Sequence, residues 1–167
     1  MMERLDSDHL AQFIQTHNIQ AELLHFDVQT PTVAVAAEVA EVAAEQIVKS
    51  VLFMADEEPV LVLACGTSRI AWKRLADYLG ISRKKLKMAN ATEVLDITGY
   101  VVGSVSPIGQ RRKLRTIVEA TIPTLPMVLA GGGELNALLK LETAVLLSAV
   151  QGEVVALVAN PKSDSHE

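Results

Sequence analysis

Residues 45–54 read EQIVKSVLFM, and residues 59–66 read PVLVLACG. In an extended chain the first stretch places Ile47, Lys49, Val51 and Phe53 on one side and Val48, Ser50, Leu52 and Met54 on the other. Neither side has the composition of a solvent face. The second stretch is continuously apolar, the pattern of a strand covered on both faces. DEEP, at 56–59, makes the turn between them. Lys49 is out of place in this setting. Either its apolar stem carries the ammonium to water, or the charge is held among apolar groups, where it finds a partner or loses pKa.

On the N-terminal side, TPTVAVAAEVAEVAAEQ (30–46) is alanine-rich. Val35, Val39 and Val42 recur at helical spacing, with Glu38, Glu41 and Glu45 on another face. Thr30 or Thr32 opens this helix, with Pro31 near its start. Earlier still, Ser7 or Asp8 caps a helix to about Thr16, and AELLHFDV (21–28) reads as a short strand.

On the C-terminal side, Thr67 or Ser68 caps a helix over RIAWKRLADYL, which Gly80 ends. Ser82 caps a short basic helix, RKKLKMA, and Thr92 a short turn, EVLDI. GYVVGSV (99–105) reads as a strand entering the loop SPIGQRRK. LRTIVEATI and PMVLAGGG read as strands, LETAVLLSAVQG as a helix and EVVALVA as a last strand. Six or seven strands and about six helices in mixed order predict an α/β or α+β fold, with the strand-rich middle closing into a barrel-like sheet. Residues 1–160 form a single predicted domain, and 161–167 a frayed tail.

The 167 residues are 50% hydrophobic, enough for a solid core. A net charge of −5 excludes a globally basic nucleic-acid binder but not a local basic patch. The single cysteine, Cys65, excludes an internal disulfide and a CxxC metal site. MMERLDSDHLAQF lacks the apolar run of a signal peptide, and no stretch has the length of a membrane span. A cytoplasmic protein is expected. His9, His17, His25 and His166 are scattered and support neither a zinc site nor a nucleophile triad.

Two glycine clusters follow apolar runs. GSVSPIG (103–109) lacks the G-K-[S/T] of a phosphate loop. It is either a tight connection or an anion-binding loop of consecutive amides stiffened by Pro107. AGGGELN (130–136) is either a turn or a pocket wall where a ligand touches backbone. Two basic runs, SRKKLK (82–87) and QRRKLR (110–115), are solvated faces or local phosphate-binding patches.

Taken in order, TVAVAAEVAEVAAEQIVKSVLFM, TGYVVGSVSPIG and VLAGGGELNALLKLETAVLLSAV resemble the YbaK and prolyl-tRNA synthetase-associated editing domain family, over roughly residues 30–158. The resemblance implies an α/β fold with a mixed, barrel-like sheet and hydrolysis of mischarged aminoacyl-tRNA, without metal or other cofactor. It places the family lysine at Lys49, the G-x-x-x-P loop at Gly103 and Pro107, and the glycine turn at Gly131 and Gly132. Glu119 stands where many members carry an aspartate.

Lys49, Gly103 and Pro107 are therefore the expected catalytic residues. Ser104, Ser106, Gly131, Gly132, Arg111 and Arg112 are the expected substrate-binding residues. At this length the expectation is a free-standing deacylase acting in trans on the acceptor end of a mischarged tRNA, with no role for DNA or membrane and with homo-oligomerisation open. The alternatives are a non-catalytic nucleotide- or tRNA-end-binding protein of the same fold, and a hydrolase of another small ester.

Overall fold

The structure is a computed structural model that describes residues 3–30 and 32–159. The expected tail at 161–167 and the expected role of Pro31 lie outside the described residues. In chain order the elements are α1 (Ser7–Thr16), β1 (Ala21–His25), α2 (Val33–Ala40), β2 (Val48–Ala55), β3 (Glu58–Cys65), α3 (Trp72–Leu79), β4 (Leu86–Met88), α4 (Ala91–Thr98), β5 (Arg115–Glu119), β6 (Met127–Gly131), β7 (Ala137–Glu142), α5 (Thr143–Val150) and β8 (Glu153–Val155). Short 3-10 turns lie at Ala44–Gln46, Arg83–Lys85 and Ile122–Thr124.

The mixed α/β class is as expected. The strands, however, divide into two sheets, and no closed barrel forms among the described residues. One sheet runs β1-β7-β6, all antiparallel. The other runs β4-β2-β3-β5-β8, antiparallel through β4, β2 and β3 and parallel from β3 to β8. Among the described residues one isolated bridge, between Ile47 and Leu129, links the two sheets. The GYVVGSV stretch expected as a strand is irregular, with Tyr100, Ser104 and Val105 buried and Val102 and Gly103 exposed. Tyr100 is fully enclosed with its hydroxyl on the Gly109 carbonyl, and Ser104 folds back on Val101. This stretch therefore supplies no strand to the seam between the sheets.

Strand alternation sorts the core. Leu61, Leu63 and Cys65 of β3 face the space between the two sheets, with Val48 and Leu52 of β2 and Val128, Ala130, Leu139 and Leu141 of the other sheet. Val60, Val62 and Ala64 face the opposite way, with Phe53, against Leu75 and Ala76 of α3. A third cluster covers the far side of β6 and β7, where Leu129 and Leu138 meet Ala36 and Ala37 of α2. β3 is apolar throughout because both of its faces are covered.

Several boundaries differ from expectation for local chemical reasons. α2 stops at Ala40, although the alanine-rich pattern continues. Glu41 adopts a left-handed conformation, φ +56°. The amides of Glu41 and Val42 bond back to Glu38 and Ala37, a Schellman closure, and Val42 packs onto the same cluster as Ala37. Asp6, not Ser7 or Asp8, caps α1 by accepting from the His9 amide. Asn90, not Thr92, caps α4 and forms a reciprocal capping box with Glu93. The RKKLKMA stretch is a 3-10 turn and the short β4 in place of a helix. Gly80 ends α3 as expected, φ +73°. The leucine-rich stretch after the glycine turn is a full strand, β7, that the sequence reading did not identify as one.

Candidate functional site

β2 pairs with β3 along its whole length but with β4 only over Phe53–Ala55. Its first half therefore has an open edge, and a cavity of about 120 Å³ lies along it. Because the cavity follows a strand edge, residues from both faces of the strand reach it. Lys49 and Ser50 line it together, with Thr30, Thr32 and Val33 at the start of α2, Gly103 and Val105 of the loop, and Gly131 at the end of β6.

The Lys49 question has a geometric answer. Its ammonium donates to the Ser68 carbonyl at 2.8 Å, across the turn that follows β3. Among the described residues no carboxylate pairs with it. The side chain is half-buried, and that burial pushes its pKa below the ordinary lysine value. A single neutral partner leaves two ammonium protons for other acceptors.

The loop is built from inside. Gly103 sits at φ +92°, where a side chain is strained. Ser104 and Ser106 are fully buried. Ser104 Oγ donates to the Val101 carbonyl at 2.8 Å, and Ser106 Oγ accepts from the Ile108 amide at 3.2 Å. Both hydroxyls brace the loop. The amides of Gly103 and Val105, on the cavity wall, donate to no protein group among the described residues. The glycine turn explains its own composition. A methyl built on Gly131 would lie 2.2 Å from the Val105 carbonyl oxygen, and one on Gly132 would lie 2.5 Å from the Ala137 carbonyl carbon. β6 and the loop thus touch backbone to backbone.

Among the expected residues, Lys49, Gly103 and Gly131 share one cavity. Pro107 lines a separate one of about 300 Å³ with Phe13, His17 and Lys113. Arg111 is half-buried, with its amide on the Thr98 carbonyl and its guanidinium 3.5 Å from the Leu95 carbonyl, at the C-terminal end of α4. Arg112 is exposed, and neither arginine lines the Lys49 cavity.

Sequence reading missed Ser50. Its Oγ is buried without a hydrogen-bond partner among the described residues, on the cavity wall. The available signal was a hydroxyl next to the lysine in an otherwise apolar strand. An orphaned buried polar group costs roughly 1–3 kcal/mol, which a bound polar atom would offset.

Glu119 has a different role. It is buried and lines none of these cavities. One carboxylate oxygen accepts from the Thr121 amide and hydroxyl, and the other from the Leu157 amide at 3.0 Å. Burial pushes its pKa up, but those bonds and one from the Ala120 amide outweigh burial, and the net direction is down. Glu119 fastens the end of β5 to the C-terminal segment. Glu119→Ala should cost about 2–4 kcal/mol of stability by orphaning these donors, read by urea unfolding. Because the folded pKa is lowered, the carboxylate's contribution is present above its unfolded value and is lost as pH falls through the folded one. Parental stability in Glu119→Ala would remove the carboxylate from the fastening.

The model of the aminoacyl-tRNA editing domain family matches residues 27–149. A proline–tRNA ligase of Lactobacillus gasseri is 37% identical over 98 residues, covering 59% of this chain and 17% of the ligase. A proline–tRNA ligase of Kosmotoga olearia is 31% identical over 133 residues, covering 75% of this chain and 22% of the ligase. The chain thus spans about a fifth of the length of these curated relatives. A solved structure of a candidate trans-editing enzyme for prolyl tRNA synthetase has the same fold, with a TM-score of 0.86 at 24% identity over 92% of this chain and 97% of that one.

Proposed function

Because the chain belongs to the aminoacyl-tRNA editing domain family, we propose that it is an aminoacyl-tRNA deacylase whose ester-binding site is the Lys49 cavity. The observation that carries this reading is the meeting along one cavity of the half-buried Lys49, two loop residues, Gly103 and Val105, whose amides have no protein acceptor among the described residues, and Ser50 with its orphaned hydroxyl. An aminoacyl ester at the end of an RNA offers complementary groups: phosphate and ribose oxygens for Lys49, and a carbonyl oxygen that gains negative charge as water attacks. Amides held in a rigid loop stabilise that charge without reorganising. The backbone contact at Gly131 and the buried serines supply that rigidity, and Pro107 fixes the loop beyond them.

Residues 1–160 act as one editing unit in this reading. Action in trans is supported by the near-complete match to the candidate trans-editing enzyme. The mischarged tRNA is the partner, and its acceptor end is the part that enters. The cavity of about 120 Å³ is somewhat smaller than a cavity of roughly 150 Å³ that takes up a benzene ring, so it disfavours large side chains. A panel of tRNAs mischarged with amino acids of increasing size, incubated with the protein, should show release that is fastest for small, unbranched residues. Absence of release from every member would leave a binding protein of the same fold.

A further inference from the structure

The basic run at 82–87 is not used by the cavity. It leads to a second recess, about 440 Å³, on the outer face of the five-stranded sheet. Lys49 lines both this recess and the cavity, so the two are neighbours, and its ammonium bonds to the carbonyl of Ser68, which lines the recess. The floor is Val51 and Phe53 of β2, and the walls include Arg69, Trp72, Arg83 and Met88.

Three features set its chemistry. First, every charged lining residue is cationic: Lys49, Arg69 and Arg83. Second, the recess carries a π surface. The Arg83 guanidinium lies over the Trp72 ring at 4.5 Å, and Phe53 meets the same ring edge-on at 5.1 Å. Arg83 also donates to the Leu86 carbonyl at 3.3 Å. An exposed arginine is thereby held in place before any ligand arrives, which removes part of its ordering cost. Third, Met88 pairs with Phe53 in the strand register, so it lies on the same face, and it is 52% exposed. Apolar floor, aromatic wall and fixed cations together match a nucleobase and its phosphates. The volume lies in the range of small-molecule sites.

We propose that this recess holds the single-stranded 3′ end of an RNA, with a base against the Trp72–Arg83 pair and Met88, phosphates on Arg69 and Arg83, and the terminal ribose reaching Lys49. The proposal rests on the deacylase reading for what the strand carries. It assigns the strand to the SRKKLK side of the molecule, away from Arg111 and Arg112.

The chain has one tryptophan, so intrinsic fluorescence reports on Trp72 alone. An uncharged RNA stem-loop with a short single-stranded 3′ overhang should change that fluorescence saturably, and a blunt-ended version of the same stem should not. By anisotropy with labelled overhang RNA, Arg69→Ala with Arg83→Ala should weaken binding about tenfold or more. The double variant should also flatten the dependence of log affinity on log salt by about 1.4, two contacts at roughly 0.7 each. Both side chains are exposed, so their removal should leave the fold intact.

Equal binding of blunt and overhang RNA would overturn the proposal. So would an unchanged salt slope in the double variant, a slope lowered only by Arg111→Ala with Arg112→Ala, or a full response to adenosine monophosphate at the same affinity. The deacylation panel is independent of these readouts. Release of amino acid with parental RNA binding in the Arg69, Arg83 variant sinks the recess alone. Overhang-specific binding that the double variant weakens, with no release, supports the recess and sinks the hydrolase.

Discussion

Lys49→Ala should slow deacylation on the order of 100- to 1000-fold, the loss typical of removing one charge-stabilising group from an active site, and leave a folded protein. Among the described residues the lysine forms one hydrogen bond, to the Ser68 carbonyl, whose net contribution is about 1 kcal/mol. That corresponds to roughly 2–4 °C in thermal midpoint for a domain of this size. The alanine variant also escapes the cost of holding a half-buried ammonium, so the midpoint should move little. Single-turnover release of amino acid and a thermal melt read the two quantities separately. Lys49→Met keeps the apolar stem and serves if alanine perturbs packing. Near-parental turnover in either folded variant would reduce Lys49 to a strand residue that reaches water through its stem. In the parent, substrate affinity should fall as pH rises through the lowered lysine pKa, before the range in which an ordinary lysine, near 10.4, loses its proton.

Gly131→Ala should damage both stability and rate. The added methyl would meet the Val105 carbonyl oxygen at 2.2 Å and the Ser104 carbonyl oxygen at 3.0 Å. These are backbone atoms, and no flexible side chain can move aside, so β6 or the loop must shift. Overpacking of this kind costs about 1–3 kcal/mol. A shift near 1 Å in the loop amides costs about 100-fold in rate. Gly80→Ala is the matched control. It also introduces a methyl on glycine, but into open space at the end of α3, with only the cost of its φ of +73°. Gly80→Ala should lose a little stability and no activity. A Gly131→Ala variant with parental midpoint and rate would show that the loop does not depend on this contact.

Much of the fold is legible in periodicity. β3 alternates between two cores along Val60–Cys65, and a sequence apolar at every position requires that. Gly80 marks the end of α3 because a left-handed residue is needed there. Other features were not legible for definite reasons. Glu41 ends α2 in a conformation its side chain disfavours, held by Val42 packing onto the α2 cluster, a tertiary effect invisible in the alanine-rich pattern. Tyr100–Val105 has the composition of a strand but forms an irregular loop, because the buried Tyr100 and Ser104 bond to the Gly109 and Val101 carbonyls while Val102 and Gly103 face solvent. For the site, Lys49, Gly103 and Gly131 could be named from the sequence. Ser50, Thr30, Thr32 and Val33 could not, because the open edge that brings them to Lys49 exists only once β4 pairs with half of β2. Arg83 illustrates the same limit. Its run is visible as charge, but its place over Trp72 depends on the 3-10 turn that replaces the expected helix.

The central claim is that the aminoacyl ester sits between Lys49 and the Gly103–Val105 amides. A non-hydrolysable analogue, an aminoacyl-adenosine with an amide in place of the ester, tests it by backbone amide chemical shifts in isotope-labelled protein. The expected result is a set of saturable shifts concentrated at Lys49, Ser50, Gly103, Val105 and Gly131, lost in Lys49→Ala. Shifts concentrated instead around Pro107, Gln110 and Lys113, with Lys49 and Gly103 unmoved, would contradict it.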